Sequence, residues 1–256
     1  MRSASGSRPV TLTAVAGIGT IRPGADLAEM IATGLGRAGL TVARGDVLVV
    51  CQKAVSKAEG RVVALAAVRP SDLARRIGER HDKDPRFIEV VLRETRRIVR
   101  MNDHVLVCET HHGFVCANAG VDSSNPLRRG TVTLLPVDPD RSAADLRAGL
   151  GRLLGVEPAV IVTDTFGRPF REGQVDVAIG VAGMRAWRSL SGGSDWTGRA
   201  LHASAPADAD MLAAAAGLVV RKEAGEPVVH VAGFRYARGP GRARDLVRAA
   251  SMDLFR

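Results

Sequence analysis

The stretch Val105-Leu106-Val107-Cys108-Glu109-Thr110-His111-His112-Gly113-Phe114-Val115-Cys116-Ala117 holds two short apolar runs separated by a polar, glycine-containing connection. Each run is short and rich in β-branched and aromatic residues, which is the composition of a strand. The connection between them is too short to carry a crossover helix, so the two runs are expected to pair as a hairpin. A doubly wound parallel sheet has no place for such a pair. Outward from it, further strands are expected near 11–16, 46–52, 131–135, 159–163, 201–205 and 228–232, with strands at 105–109 and 114–117 in the hairpin itself. Helical spacing of apolar residues marks 26–38, 71–80, 85–93, 143–154 and 207–220. The fourth of these follows Pro139-Asp140-Arg141-Ser142, which supplies an N-cap, and carries the apolar stripe Leu146, Leu150, Leu153 and Leu154. Strands and helices alternate without a regular βαβ beat, so the expected fold class is α+β with mixed sheets.

With 256 residues the chain is long enough for a substantial core. The expected organisation is a disordered lead over 1–10 and one domain over 11–256, with two intertwined subdomains as a variant of it. No run approaches the roughly 18 apolar residues that span a bilayer, so no membrane partner is expected. The first residues are basic but lack the apolar core of a signal peptide. Cys51, Cys108 and Cys116 are odd in number, lie in apolar runs and lack CxxC spacing, which fits reduced thiols of a cytoplasmic protein. The net charge of +9 invites a nucleic-acid reading, but only four of the 36 basic residues are lysine and the arginines are scattered. Aromatic residues make up only 4%, so platforms for stacking bases are scarce and no nucleic-acid partner is expected. A basic surface does suit a small anionic substrate.

Two acidic clusters each follow an apolar run. One is Asn118-Ala119-Gly120-Val121-Asp122-Ser123-Ser124-Asn125-Pro126, and the other is Asp164-Thr165-Phe166-Gly167-Arg168-Pro169-Phe170-Arg171-Glu172-Gly173. A carboxylate beside a hydroxyl or amide at a strand end is a hard, oxygen-rich ligand set, suited to Mg²⁺ or Mn²⁺ carrying a phosphate chain. Arg168 and Arg171 are expected to add forked cations for phosphate or carboxylate. As purely structural features, the same clusters read as an Asx-turn with a proline stop and a strand-end cap. Lys53 and Lys57 lie within five residues of each other in a chain that has largely replaced lysine by arginine, directly after a strand. No P-loop is present, and Gly17-Ile18-Gly19-Thr20-Ile21-Arg22 fails as a dinucleotide fingerprint because Arg22 stands at the third glycine. Its backbone amides are nonetheless free to approach a purine or phosphate. His111 and His112 are expected in an exposed turn. The glycine-rich 187–198, with Trp187 and Trp196, is expected to be a loop able to cover a site.

Three strings together resemble one family. They are Gly45-Asp46-Val47 with Lys53-Ala54-Val55-Ser56-Lys57-Ala58-Glu59-Gly60, the run from Glu109 to Asn125, and the run from Asp164 to Gly173. They are similar to the coenzyme F420-0:L-glutamate ligases, and the resemblance extends from about Thr11 to the C-terminal residues. It implies γ-linked addition of L-glutamate to the lactyl carboxylate of coenzyme F420-0, with GTP as phosphoryl donor and Mg²⁺ or Mn²⁺ as cofactor; it further allows K⁺. It implies that Ile18, Gly19, Thr20 and Ile21 contact GTP, that Gln52, Lys57 and Asn125 share that site, that Asp122 and Asp164 hold one divalent ion, and that Thr165 helps to hold a second. Lys57, Asp122 and Asp164 would carry the chemistry. The family is α+β and homodimeric, and the chain is expected to stand alone, without the nitroreductase-like domain fused to some actinobacterial relatives. One departure concerns Arg221 and Lys222, which occupy positions where the family has glycine and then Gln, Glu or Lys making further nucleotide and metal contacts. The rival readings are a metal-dependent nucleotide phosphohydrolase and a nucleic-acid binder.

Overall fold

The structure, a computed structural model, describes residues 9–102, 105–124, 126–220 and 224–254. In chain order its first elements are β1 (Thr11–Ala14), α1 (Leu27–Arg37), β2 (Val47–Cys51), α2 (Gln52–Ala58), β3 (Val62–Ala64), α3 (Asp72–Arg80), α4 (Pro85–Arg93) and β4 (Thr95–Met101). There follow β5 (Leu106–Thr110), β6 (Val115–Ala117), β7 (Thr131–Thr133), α5 (Pro139–Leu154), β8 (Ala159–Arg168), β9 (Arg171–Ala182), α6 (Asp208–Ala216) and β10 (Val228–Ala232). The central sheet has the order β1-β10-β2-β8-β9, and smaller sheets pair β3 with β7 and β4-β5-β6. Among the described residues only β2 and β8 run parallel, and every other strand pairing is antiparallel. The fold class is α+β, as the hairpin at 105–117 implied. β5 and β6 form that hairpin, with Cys108 opposite Cys116.

Alternation along the central strands makes two cores. Leu48, Val50, Val160 and Val162 face α1 and α5, which contribute Ile31, Leu35, Leu146 and Leu150. Val47, Val49, Ile161 and Val229 face the opposite way, onto Ala209, Leu212 and Ala216 of α6. A third core packs α3 and α4 against β5 and β7 through Ile77, Ile88, Leu106, Cys108 and Val132. Capping fixes the helix starts. Asp26 accepts from the Glu29 amide at 3.0 Å, Ser71 caps α3, and Asp138 accepts from Arg141 at 3.0 Å. Asp138, rather than a residue of 139–142, is therefore the cap of α5, and the helix begins at Pro139, four residues before the expected 143.

The β8–β9 hairpin is half core and half arm. Its inner residues are buried, whereas those beyond Thr163 and before Ala178 are progressively open. A bulge marks the change: Val162 pairs with Gly180 but Thr163 pairs with Ala178. Two carboxylates take backbone donors of β9 here. Asp210 of α6 accepts from the Ala178 amide at 2.9 Å, and Asp140 of α5 accepts from Val181 and Ala243, both at 2.8 Å. The first turn of α5 thus presses directly on β9. A Cβ at Gly180 would stand 2.1 Å from the Pro139 carbonyl oxygen. Because the obstruction is backbone, Gly180→Ala is expected to cost about 3 kcal/mol, read as a lowered midpoint in urea unfolding.

Several expectations are corrected. Residues 201–205 form no strand; they hydrogen-bond to a glycine–serine loop through Leu201 N–H to Gly193 O and Leu190 N–H to Ser204 O, with no sheet edge beside them. The strands β3, β4 and β9 and the helix α2 were not expected. β4 carries Arg96, Arg97 and Arg100 on an exposed edge, which hides its apolar alternation. The start of β9, Arg171-Glu172-Gly173-Gln174, lacks apolar residues because it forms the outer arm. No described helix is long and apolar enough to cross a membrane.

Candidate functional site

Where the parallel pair β2–β8 ends, the chain opens a cleft of about 760 Å³. One wall is α2, which follows β2 without an intervening loop. Lys53 and Lys57 are four residues apart on this helix, so both ammonium groups fall on the same face and line the cleft. Facing them are Asp122 and Ser124 from the segment after β6, and Asp164, Thr165 and Asp176 from the point where the β8–β9 hairpin leaves the sheet. The lysines, expected directly after the strand, form a pair on a short helix that the sequence does not announce.

Asp122 is held at its backbone by reciprocal bonds with Thr133 of β7, at 3.0 and 2.8 Å. Its carboxylate accepts from the Ser124 amide at 2.5 Å, so the expected Asx-turn is real and is also part of the cleft. Lys53 Nζ lies 2.6 Å from Asp122 Oδ2 and 2.5 Å from Ser124 Oγ. Burial alone pushes the Asp122 carboxyl up, but the Lys53 and Ser124 hydrogen bonds and the Lys53 charge outweigh it and leave the group below the usual carboxylate range. Asp164 behaves in the opposite way. Burial pushes it up to about 7, the charges of Asp122 and Asp176 add to the rise, and the Thr165 amide and Lys53 only partly offset it. Burial, with the Lys53 charge beside it, lowers the affinity of Lys57 for its proton.

Two thiols also line the cleft, Cys51 and Cys116. Burial pushes Cys51 up, and it pushes Cys116, with the Asp164 charge adding, up to about 12. Neither is a thiolate near neutral pH, so neither is an activated nucleophile. Between Cys116 and Asp122 the backbone turns through three consecutive left-handed residues, Asn118, Ala119 and Gly120, with φ of 51, 52 and 74°. For Asn118 and Ala119 this stores roughly 1–2 kcal/mol each. Gly120 is additionally required because a Cβ there would meet Leu135 at 2.7 Å.

The donor set suits a hard divalent cation. The side-chain oxygens of Asp122, Ser124, Asp164, Thr165 and Asp176 line the cleft, and Asn118, also in the lining, has a buried Oδ1 with no hydrogen-bond partner. Among the described residues no three His, Cys, Asp or Glu side chains form a finished cage. Mg²⁺ needs none, since it is held by one or two carboxylates together with water and substrate phosphates. A carboxyl driven towards protonation by burial, and further by its acidic neighbours, is relieved by such a charge.

Of the other expected site residues, Gly19, Thr20 and Ile21 line the cleft, in a loop whose Gly17 and Gly19 adopt φ of 75 and 79°. Ile18 does not; it is buried in the core, and a Cβ at Gly34 would be 2.8 Å from its Cδ1. Gln52 lies outside the lining. Its side chain is buried and donates to Ser56 Oγ at 2.6 Å and to the Leu134 carbonyl at 2.9 Å, which ties α2 to the segment after β7. Asn125, Arg221 and Lys222 lie outside the described residues. Arg168 and Arg171 do not reach the cleft, and Arg168 donates to the Glu172 carbonyl of its own hairpin. His112 bonds the Pro136 carbonyl at 2.9 Å and stacks on Phe114, away from the cleft. None of residues 187–198 lines the cleft. Two acidic cleft residues are not singled out by the sequence, Asp176 and Glu226. Asp176 is cross-strand partner to Thr165, so recognising β9 would have found it.

Comparison with known proteins agrees with the three-string resemblance. The family model described as F420-0:Gamma-glutamyl ligase matches residues 17–233. The chain is 45% identical over 241 residues to the Coenzyme F420:L-glutamate ligase of Methanopyrus kandleri, covering 92% of this chain and 93% of that protein. It is 42% identical over 250 residues to the protein of the same name from Methanothermobacter thermautotrophicus, covering 96% and 99%. The similarity to the protein of that name in Archaeoglobus fulgidus is 38% over 243 residues, or 94% of each chain. Identity of this extent, along nearly the whole of both partners, means that the chain belongs to the F420-0:gamma-glutamyl ligase family.

Proposed function

We propose that the protein joins the amine of L-glutamate to the lactyl carboxylate of coenzyme F420-0, driven by GTP, in coenzyme F420 biosynthesis. The observation that carries this reading is one cleft lined by two lysines and four acidic side chains, Asp122, Asp164, Asp176 and Glu226, with, among the lining residues, no activated nucleophile. A carboxylate does not form an amide in water unaided, because its oxygen is a poor leaving group. In the proposed sequence the lactyl carboxylate attacks the γ-phosphorus of GTP, GDP leaves, and the resulting acyl phosphate loses phosphate when the glutamate amine adds to the carbonyl. No covalent enzyme intermediate is needed.

Each part of the cleft then has a task. Lys53 and Lys57 offset charge on the phosphate chain. The amides of Gly19–Ile21 offer neutral donors. Asp122, Asp164 and Thr165 would hold Mg²⁺ or Mn²⁺, which when bound supplies positive charge to the phosphate oxygens. The same reading takes the protein as a cytoplasmic homodimer, with a role for K⁺ left to ion-replacement assays.

The test is release of GDP and phosphate that requires both deazaflavin precursor and glutamate, with mass spectrometry of the product. Phosphate release without either acceptor would favour the phosphohydrolase instead. Lys57→Ala is expected to weaken GTP binding about 10- to 100-fold, the loss of one charge-assisted contact, and to leave the Michaelis constant for glutamate unchanged. Titration calorimetry and steady-state kinetics separate the two, and equal losses for both substrates would contradict the assignment.

A further inference from the structure

We infer that Asp176 is a positioning residue for Thr165: it accepts the hydrogen bond that the Thr165 hydroxyl donates and so turns that oxygen's lone pairs towards the cleft. The inference rests on the function proposed above and deepens it. Thr165 Oγ1 donates to Asp176 Oδ1 at 2.6 Å, across a directly paired position of β8 and β9, and both residues line the cleft. A hydroxyl has one proton and two lone pairs. Once the proton is committed to Asp176, Thr165 presents only acceptor character to whatever enters. That is the form in which a neutral hydroxyl serves a hard cation. Without the acceptor, the hydroxyl is free to rotate and to donate to a phosphate oxygen instead.

A second observation points the same way from another element. Gly217, which ends α6, has φ −57° and ψ −22°, an ordinary helical conformation that any residue adopts. Its backbone does not call for glycine. A Cβ there, however, would stand 3.0 Å from Asp176 Oδ2 and 3.4 Å from its Cγ. The missing side chain leaves room for the carboxylate in the position from which it reaches Thr165. α6 therefore buttresses the pair, although no side chain of Gly217 exists to touch a substrate.

The test is Mn²⁺ binding to the full-length, nucleotide-free protein, measured by titration calorimetry and by electron paramagnetic resonance of free Mn²⁺. Asp176→Leu is expected to weaken Mn²⁺ about 10- to 100-fold, the usual loss when a ligand's orienting partner is removed. Asp176→Asn keeps an accepting oxygen and is expected to stay within about threefold of the parent. Thr165→Val is expected to match Asp176→Leu, and the double variant to lose no more than either alone. Gly217→Ala is expected to weaken Mn²⁺ several-fold while leaving the melting temperature unchanged or higher, since alanine suits a helical φ. This last variant keeps the test decisive if Asp176→Leu fails to fold. Asparagine as harmful as leucine, or additive losses in the double variant, would overturn the positioning role. Wild-type affinity in Asp176→Leu would overturn this inference alone, whereas a parent protein that binds no Mn²⁺ would overturn the proposed function with it.

Discussion

Asp164→Asn is expected to make the metal-free protein more stable at pH 8, by about 2–4 kcal/mol, while lowering GTP-dependent turnover roughly 1,000-fold. The two effects have one source. Asp164 is half-buried where β8 leaves the sheet, and burial, reinforced by Asp122 and Asp176, pushes its carboxyl from an ordinary 3.8 up to about 7. Between those values the folded protein holds a proton that the unfolded chain has released. Stability therefore falls as pH rises from about 4 to about 7, and it stays lower above that range. Asparagine keeps the shape and cannot ionise, so the variant lacks this slope. Urea unfolding in the presence of a chelator is expected to give nearly equal stabilities near pH 3.5, a gap that widens as pH rises to about 7, and the full advantage to the variant at pH 8. The loss of turnover follows because the charge that destabilises the empty cleft is the one proposed to hold the divalent ion. A variant that is both more stable and fully active would remove Asp164 from the chemistry.

This exchange of stability for function also explains what could be read from the sequence. The apolar halves of β2, β8 and β10 announce themselves because they are buried on both faces and composed almost wholly of Val, Ile, Leu and Ala. The tight 105–117 hairpin excludes an all-parallel fold without further information. What escaped notice lies where the chain leaves the core. α2 has only seven residues and no side-chain cap, and it starts on the residue after β2, so no turn signal separates the two. Lys53 and Lys57 consequently look like neighbours along a strand end rather than a pair on one helix face. β9 begins in solvent with Arg171-Glu172-Gly173-Gln174, and its alternation emerges only from Val175 onwards. Missing β9 meant missing Asp176, whose place opposite Thr165 is a property of register and not of local sequence.

The three family strings succeeded for a related reason. They cover α2, the 118–122 turn and the outer part of β8, the segments whose residues are set by the cleft more than by packing. Gln52 shows the limit of that argument. It falls in the same region, and the resemblance implies a place in the nucleotide site, yet its amide nitrogen donates to Ser56 and to the Leu134 carbonyl in the interior. A polar residue beside a site can serve the frame that holds the site, and only the hydrogen-bond partners distinguish the two.

His230→Ala is expected to destabilise the protein by about 3–5 kcal/mol, through an uncompensated buried carboxylate. His230 lies in the middle of β10 opposite Leu48, and Asp46, just before the neighbouring strand β2, precedes that position by two residues, so the two side chains meet diagonally on one face. His230 Nε2 is 2.8 Å from Asp46 Oδ2, and both residues are more than nine-tenths buried. The same Asp46 oxygen accepts from the Ala43 amide at 2.8 Å and so closes the turn that feeds β2. Losing the imidazole leaves this carboxylate with one backbone donor in an apolar setting, and it also opens a cavity between β10 and β2. Asp46→Asn combined with His230→Ala is expected to recover part of the loss, because the amide carries no charge to strand; losses that simply add would show that the pair is not coupled. The damage is expected to reach the cleft as well, since β2 runs from Asp46 straight into α2 and its two lysines. In urea titrations followed by circular dichroism, the midpoint is expected to fall while the slope stays constant, marking a loss of stability without a change in the surface exposed on unfolding.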